Sequence, residues 1–210
     1  MTKILSIILA TLLLSCNAKS DKRAENYPIE KNRIINKDFD SLIKIFNDSK
    51  TTNRGQILYE LNEFDDKRKI ELLENSLSDK DEFVKIIAIQ SIWSNNQTES
   101  ADKLLELFIK NENHTLNSNL CRTFADFDFK KAIPAIKKKM ESENSMIIYD
   151  CIWTLGEIGT ENEIQFLSEL TKNEVKPKIF DEDGFLRQTT ELTIGEQALN
   201  SIEKIKKASR

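Results

Sequence analysis

Five segments of this chain share one arrangement of apolar positions. VKIIAIQSIW from Val84, LNSNLCRTFA from Leu116 and IIYDCIWTLG from Ile147 place apolar residues at their first, fifth, sixth and ninth positions. NRGQILYELN from Asn53 fits except at its first position, and IGEQALNSIE from Ile194 fits throughout. Steps of four, one and three residues put these side chains on one face of a helix. The starts at 53, 84, 116, 147 and 194 are separated by 31, 32, 31 and 47 residues. Self-similarity at a period near 30 residues marks a repeat architecture.

A second amphipathic helix follows each of the first four segments. Its apolar pairs are Ile70 with Leu73, Ala101 with Leu104, Ile133 with Ile136, and Ile164 with Leu167. Asp81, Asn113 and Asn144 stand three residues ahead of their segments, where a side-chain oxygen caps the first turn. Thr160 and Glu163 have the spacing of a capping box. Stepping back 31 residues from Ile70, Leu73 and Leu77 reaches Phe39, Leu42 and Phe46, so residues 38–48 read as the second helix of an incomplete first repeat. The pattern therefore predicts an all-α fold, an α-solenoid of about four helix pairs with half-repeats at the ends.

Residues 147–167, IIYDCIWTLGEIGTENEIQFL, resemble the HEAT-like repeat of phycobilisome lyases, roughly VRxxAAxALGxIGxxxAIPxL. Val84-Lys85 with Ala88 matches one copy, and Ala132-Ile133-Pro134-Ala135-Ile136 matches the second helix of another. The resemblance extends over residues 38–206 and implies an α-solenoid, with Gly156 starting the turn between helices. It implies no activity here. Bilin attachment is remote from an exported chain, the di-iron sites of some HEAT enzymes need paired His-Glu motifs, and His114 is the single histidine.

The amino terminus reads as an address. Lys3 precedes the apolar run Ile4 to Leu14, too short to span a bilayer as a helix, so residues 1–15 read as a signal peptide. Leu13-Leu14-Ser15-Cys16 resembles the lipobox of bacterial lipoproteins. The resemblance implies cleavage before Cys16 and acylation there, and two or more acyl chains hold a protein stably on a membrane. Asn17, where inner-membrane retention favours aspartate, points to the outer membrane. Residues 16–36 form the lipidated terminus and a polar tether, reaching roughly 25 Å as a flexible coil, and 37–210 the repeat domain.

Charge and reactive side chains narrow the picture. Beyond residue 15 the chain carries 30 basic against 35 acidic residues and no basic block longer than Lys137-Lys138-Lys139, which argues against nucleic acid. That triplet reads as a solvated helix face. Cys121 and Cys151 occupy the sixth and fifth positions of neighbouring repeats and should be buried. An oxidising envelope permits a bond between them, but helices pack 8–10 Å apart and a disulfide asks for α-carbons within about 7 Å, so two buried thiols are expected. Trp93, at the glycine position of its repeat, should plug the turn. No phosphate loop, nucleophile elbow or zinc spacing is present, so neither catalytic residues nor a cofactor is expected.

The candidates for partner binding lie at the carboxyl end. Tyr149 and Trp153 sit at the third and seventh positions of the fourth repeat, and the other seventh positions, Tyr59, Gln90 and Arg122, suggest exposure. Exposed aromatics anchor interfaces; the competing reading covers them with another part of the chain. The 47-residue step leaves an insertion near 175–190, VKPKIFDEDGFLRQTT. Its Phe180, Asp181, Asp183 and Phe185 read as an acidic turn with apolar shoulders, the commoner case, over a calcium loop for which Glu191 is a poorly spaced candidate for the distal ligand. Together these readings predict a lipid-anchored scaffold that binds an envelope protein. The other class is a sensor or carrier holding a small ligand or peptide in the concave groove. Replacing Cys16 with serine should abolish acylation and release the chain from the membrane pellet. Acyl radiolabel retained by the serine variant would contradict the anchor.

Overall fold

The computed structural model describes residues 38–48, 53–141, 144–180 and 186–210. The chain divides into two compact units, 1–52 and 53–210. Cys16, the signal peptide and the tether lie outside the described residues. In the first unit, helix α1 (Phe39–Asn47) begins at Asp38, whose carboxylate accepts the Ser41 amide at 2.8 Å. Its buried face is Phe39, Leu42 and Phe46, the residues reached by the 31-residue step.

The second unit is a stack of helix pairs. Helices α2 (Arg54–Asn62) and α3 (Arg68–Ser76) form the first, α4 (Glu82–Ser94) and α5 (Ala101–Lys110) the second. The third is α6 (His114–Asp126) with α7 (Ile133–Lys139), and the fourth is α8 (Ser145–Ile158) with α9 (Glu161–Ser168). Strands β1 (Lys178–Phe180) and β2 (Leu186–Thr189) follow, and α10 (Ile194–Ala208) ends the chain as a fifth first helix. Among the described residues no helix is long and apolar enough to cross a membrane.

Local chemistry sets the starts of these helices. Asp81 accepts the Phe83 amide, Asn113 those of Thr115 and Leu116, and Asn144 those of Met146 and Ile147, as the caps predicted. Thr160 with Glu163 forms the expected capping box, and Thr193 with Glu196 forms another at the head of α10. The first-helix ends of the second and third repeats share a second device. Asn96 and Asp128 adopt left-handed backbone, at φ 52° and 48°, which short polar side chains tolerate best. The next amides, of Gln97 and Phe129, then reach back to the carbonyls of Ile92 and Phe124.

Packing follows the sequence pattern. First helices stack in a row, α2 on α4, α4 on α6, α6 on α8 and α8 on α10. Each second helix leans on the first helix of the next repeat: α3 on α4, α5 on α6, α7 on α8, α9 on α10. Phe108 of α5 meets Phe124 of α6 edge-on, with ring centres 5.5 Å apart. The apolar positions from Val84 to Leu155 are all buried, as are Ile57, Leu58, Leu61, Ile194, Ala198 and Ile202. Leu199 departs at 50 % exposure, because its counterparts Leu58, Ile89, Cys121 and Ile152 face a following repeat, whereas no helix among the described residues covers that side of α10.

The insertion is a short antiparallel hairpin within an otherwise helical layout, pairing Lys178 with Thr189 and Ile179 with Gln188. β1 rests near α8. Despite the detour, α10 occupies the place of an ordinary first helix, and Gly156 permits it. Gly156 lies inside α8 instead of starting the turn, and a β-carbon there would stand 2.5 Å from Ser201 Oγ and 2.9 Å from Ser201 Cα. The Ser201 hydroxyl donates to the Ile152 carbonyl at 2.9 Å across the same contact.

Alanine at 156 would gain up to about 1 kcal/mol in helix propensity, but overpacking against backbone costs about 1–3 kcal/mol. Gly156→Ala should therefore lower the melting temperature by several degrees, with partial recovery in Gly156→Ala/Ser201→Gly. Asp102→Ala removes an exposed ion pair with Lys131 and should leave melting almost unchanged. Equal effects of Gly156→Ala and Asp102→Ala in thermal denaturation would refute this helix register.

Candidate interaction surface

Along the row of first helices, the seventh positions, and the fourth positions apart from buried Ile87 and Gln197, carry the polar and aromatic side chains that core packing leaves available. The eighth positions, Ser91, Thr123, Thr154 and Ser201, are buried between helices. Thr123 and Thr154 return their hydroxyls to the carbonyls of Asn119 and Asp150. The two threonines thus satisfy themselves locally, and small hydroxyls at these positions let successive helices approach closely.

Outside that line the repeats are joined by polar contacts. Gln90 Nε2 donates to Asn119 Oδ1 at 3.1 Å, and Trp93 Nε1 donates to Asp126 Oδ2 at 2.6 Å. Trp93 therefore does not plug its turn; it is half-buried and bridges to the next repeat. Asn95 donates to Asn62, Asn113 to Glu82, and Lys204 pairs with Glu157. The partners are separated by 29, 33, 33, 31 and 47 residues, so the sequence period reappears as hydrogen bonds, including the interrupted step.

Tyr149 and Trp153 are both half-buried. Burial raises the Tyr149 phenol above its ordinary value, aided by the negative charges of Asp150, Glu191 and Glu196. The α10 approach thus faces Tyr149 on one side. Trp153 borders an open hollow of about 260 Å³ with Glu157, Gln197, Asn200 and Lys204, between α8 and α10. Phe180 lies on β1, away from the helical face in sequence, and nothing of its side chain is described; Asp181, Asp183 and Phe185 lie outside the described residues. The structure thus brings Tyr149 and Trp153 onto one helix and leaves the rest of the predicted set unplaced.

Asp150 is the functional candidate that the sequence reading passed over. Its carboxyl is set between α6 and α8, where burial pushes it up to about 6 against a Ser118 hydrogen bond and the positive charge of Arg122. Its only signal in the sequence is a carboxylate at a fourth position, where Gln56, Ile87, Asn119 and Gln197 stand in the other repeats. Asp150, Arg122, Tyr149 and Trp153 together make a face with a titratable acid, an exposed cation and two aromatic rings.

The lysine triplet is no solvated face. Lys139 is buried, donating to the Asn111 carbonyl at 2.6 Å and to Glu112 at 2.8 Å, with its ammonium 5.7 Å from the Phe108 ring centre. Lys137 reaches Glu163 at 3.3 Å and lies over Phe166. Only Lys138 of the three is exposed. A second open hollow, about 450 Å³, lies among α3, α4 and α5 and is lined by Glu74, Lys85, Lys103, Glu106 and Lys110.

A family profile described as HEAT repeats matches residues 101–179, from the start of α5 into β1. The chain carries HEAT-like repeats, folded as an α-solenoid. No curated protein matches it.

Asp150 supplies a pH test. The folded chain keeps its proton up to about pH 6, whereas an unfolded aspartate releases it near 3.9. The folded state therefore binds more protons between those values, and this group's contribution to stability falls as pH rises through that window. Asp150→Asn should stabilise the chain by about 1–2 kcal/mol at pH 7, with the difference shrinking toward pH 4. Parallel melting curves for both proteins across pH 4–7 would exclude a buried acid at this position.

Proposed function

We propose that this protein is a lipid-anchored HEAT-repeat scaffold that presents its row of first helices to another protein of the bacterial cell envelope. The observation that carries the interaction half of this reading is the face built by Arg122, Tyr149, Asp150 and Trp153. Tyrosine, tryptophan and arginine are the side chains most enriched among the anchors of protein interfaces. The two hollows described are open and lined by charged and polar side chains, which suits a broad partner surface better than an enclosed small ligand. HEAT-like stacks offer extended surfaces of this kind, and the scaffold calls for no catalytic chemistry.

The anchoring half rests on the lipobox-like Leu13-Leu14-Ser15-Cys16 after an apolar run, with acylation at Cys16 and the outer membrane as the destination. Asp181, Asp183 and Phe185 of the insertion are included in the proposed partner contact because β1, which precedes them in sequence, lies near α8.

The test is site-specific photo-crosslinking of the full-length anchored chain in intact cells. A reactive residue at position 122 should capture a discrete protein, and Trp153→Ala should reduce that product at least fivefold without changing melting temperature. A reactive residue at Lys138, exposed on the second-helix side, should capture far less. Equal capture at both positions, or a product indifferent to Trp153→Ala, would overturn the assignment of this face.

A further inference from the structure

Second helices α5 and α7 pack together, but α3 and α5 make no more than marginal contact. The open hollow of about 450 Å³ lies where α3 and α5 part, with Leu77 and Leu107 as its apolar walls. The repeat explains the opening. One repeat later, 32 residues on, the place of Leu107 is taken by Lys139. That lysine is buried and crosses to the Asn111 carbonyl and to Glu112, just beyond the end of α5. Leucine is shorter and has no polar head to reach the far side. The interval between α3 and α5 therefore stays unfilled.

The charges around the hollow are unequal. Glu74 is already satisfied, since Lys103 pairs with it at 2.5 Å and the Ser100 hydroxyl donates to it at 2.8 Å. The side chains of Lys85, Lys110 and Glu106 have no hydrogen-bond or ion-pair partner among the described residues. Two unpaired ammonium groups thus stand against one unpaired carboxylate beside apolar walls. This happens on a chain that is acidic as a whole.

We propose that this hollow binds a short acidic segment of a partner protein. An aliphatic side chain of the segment lies against Leu77 and Leu107, and its carboxylates meet Lys85 and Lys110. A lone phosphate would leave both leucines without a partner and most of the volume empty. A basic segment would meet the two unpaired lysines with only Glu106 in its favour. Glu106 opposes the bound carboxylates, which gives the reading a test of sign. The site uses α3, α4 and α5, so it does not rest on the face of Arg122 and Trp153.

The experiment titrates the full-length chain in detergent, against a detergent blank, into a fluorescein-labelled amidated peptide of alternating glutamate and leucine. Anisotropy should show saturable binding that weakens as salt is raised. The same peptide with glutamine in place of glutamate should not saturate. Exposed ion pairs each change a binding constant by up to about fivefold. Lys85→Gln/Lys110→Gln should therefore weaken binding about fivefold or more, with an unchanged melting temperature because neither lysine has a pair to lose. Glu106→Gln should tighten it about twofold. Trp153→Ala and Lys138→Gln, both away from the hollow, should leave it unchanged. Equal binding of the two peptides, indifference to the double lysine variant, or weaker binding by Glu106→Gln would overturn the proposal. So would displacement of the peptide by equimolar inorganic phosphate. Concentration-dependent dimers that disappear in the double lysine variant would also overturn it, because a second copy would then be the occupant.

Discussion

Each second helix in residues 53–210 is covered by the first helix of the repeat that follows it, and the rest of the structure depends on that dependence. A pair such as α5 with its own partner α4 does not close a core; Phe108 of α5 is covered by Phe124 of α6. Burial is thus always completed from one repeat ahead, which is the physical meaning of a nearest-neighbour stack. It also explains why α10 is needed after the hairpin. Without it α9 would lack its cover and Ile152 would face water, as Leu199 does at the end of the row.

Close approach between first helices sets the second constraint. Small residues at the fifth, eighth and tenth positions (Ala88, Cys151, Thr154, Gly156 and Ser201) keep neighbouring axes near one another. The same closeness brings Asp150 between α6 and α8, beside Ser118 and Arg122. Acid and aromatic face are therefore products of one helix-to-helix spacing. A change that widens it would alter both together.

The fold was legible because its energetics are periodic. Apolar positions such as Val84, Leu116 and Ile147 must recur for each repeat to cover the last, and caps such as Asn113 and Asn144 recur where each helix must start. Features that depend on the neighbouring repeat were harder to read. Lys139 looked like part of a solvated triplet, but its burial depends on the Asn111 carbonyl and Glu112 a turn of the solenoid away. Trp93 was placed by its position in the repeat, while its indole is fixed by Asp126, 33 residues on. Asp150 shows in the sequence only as a carboxylate at a fourth position, since it takes the approach of α6 to make that carboxyl hard to ionise. Leu199 fits the pattern and is nevertheless exposed, because the pattern describes a face without saying what will cover it.

The two rows of helices are unequally joined. First helices pack continuously from α2 to α10, whereas among the described residues α5 and α7 are the second-helix pair with more than marginal contact. Elsewhere that side is tied by long lysine side chains to carboxylates, Lys103 to Glu74 and Lys137 to Glu163. Tethers of this kind stretch and re-form at little cost, while a packed apolar seam does not. In mechanical terms, the first helices are a stiff spine and the second helices a compliant fringe. Bending that spreads the fringe is the soft mode of residues 53–210, so their curvature can change without breaking the core.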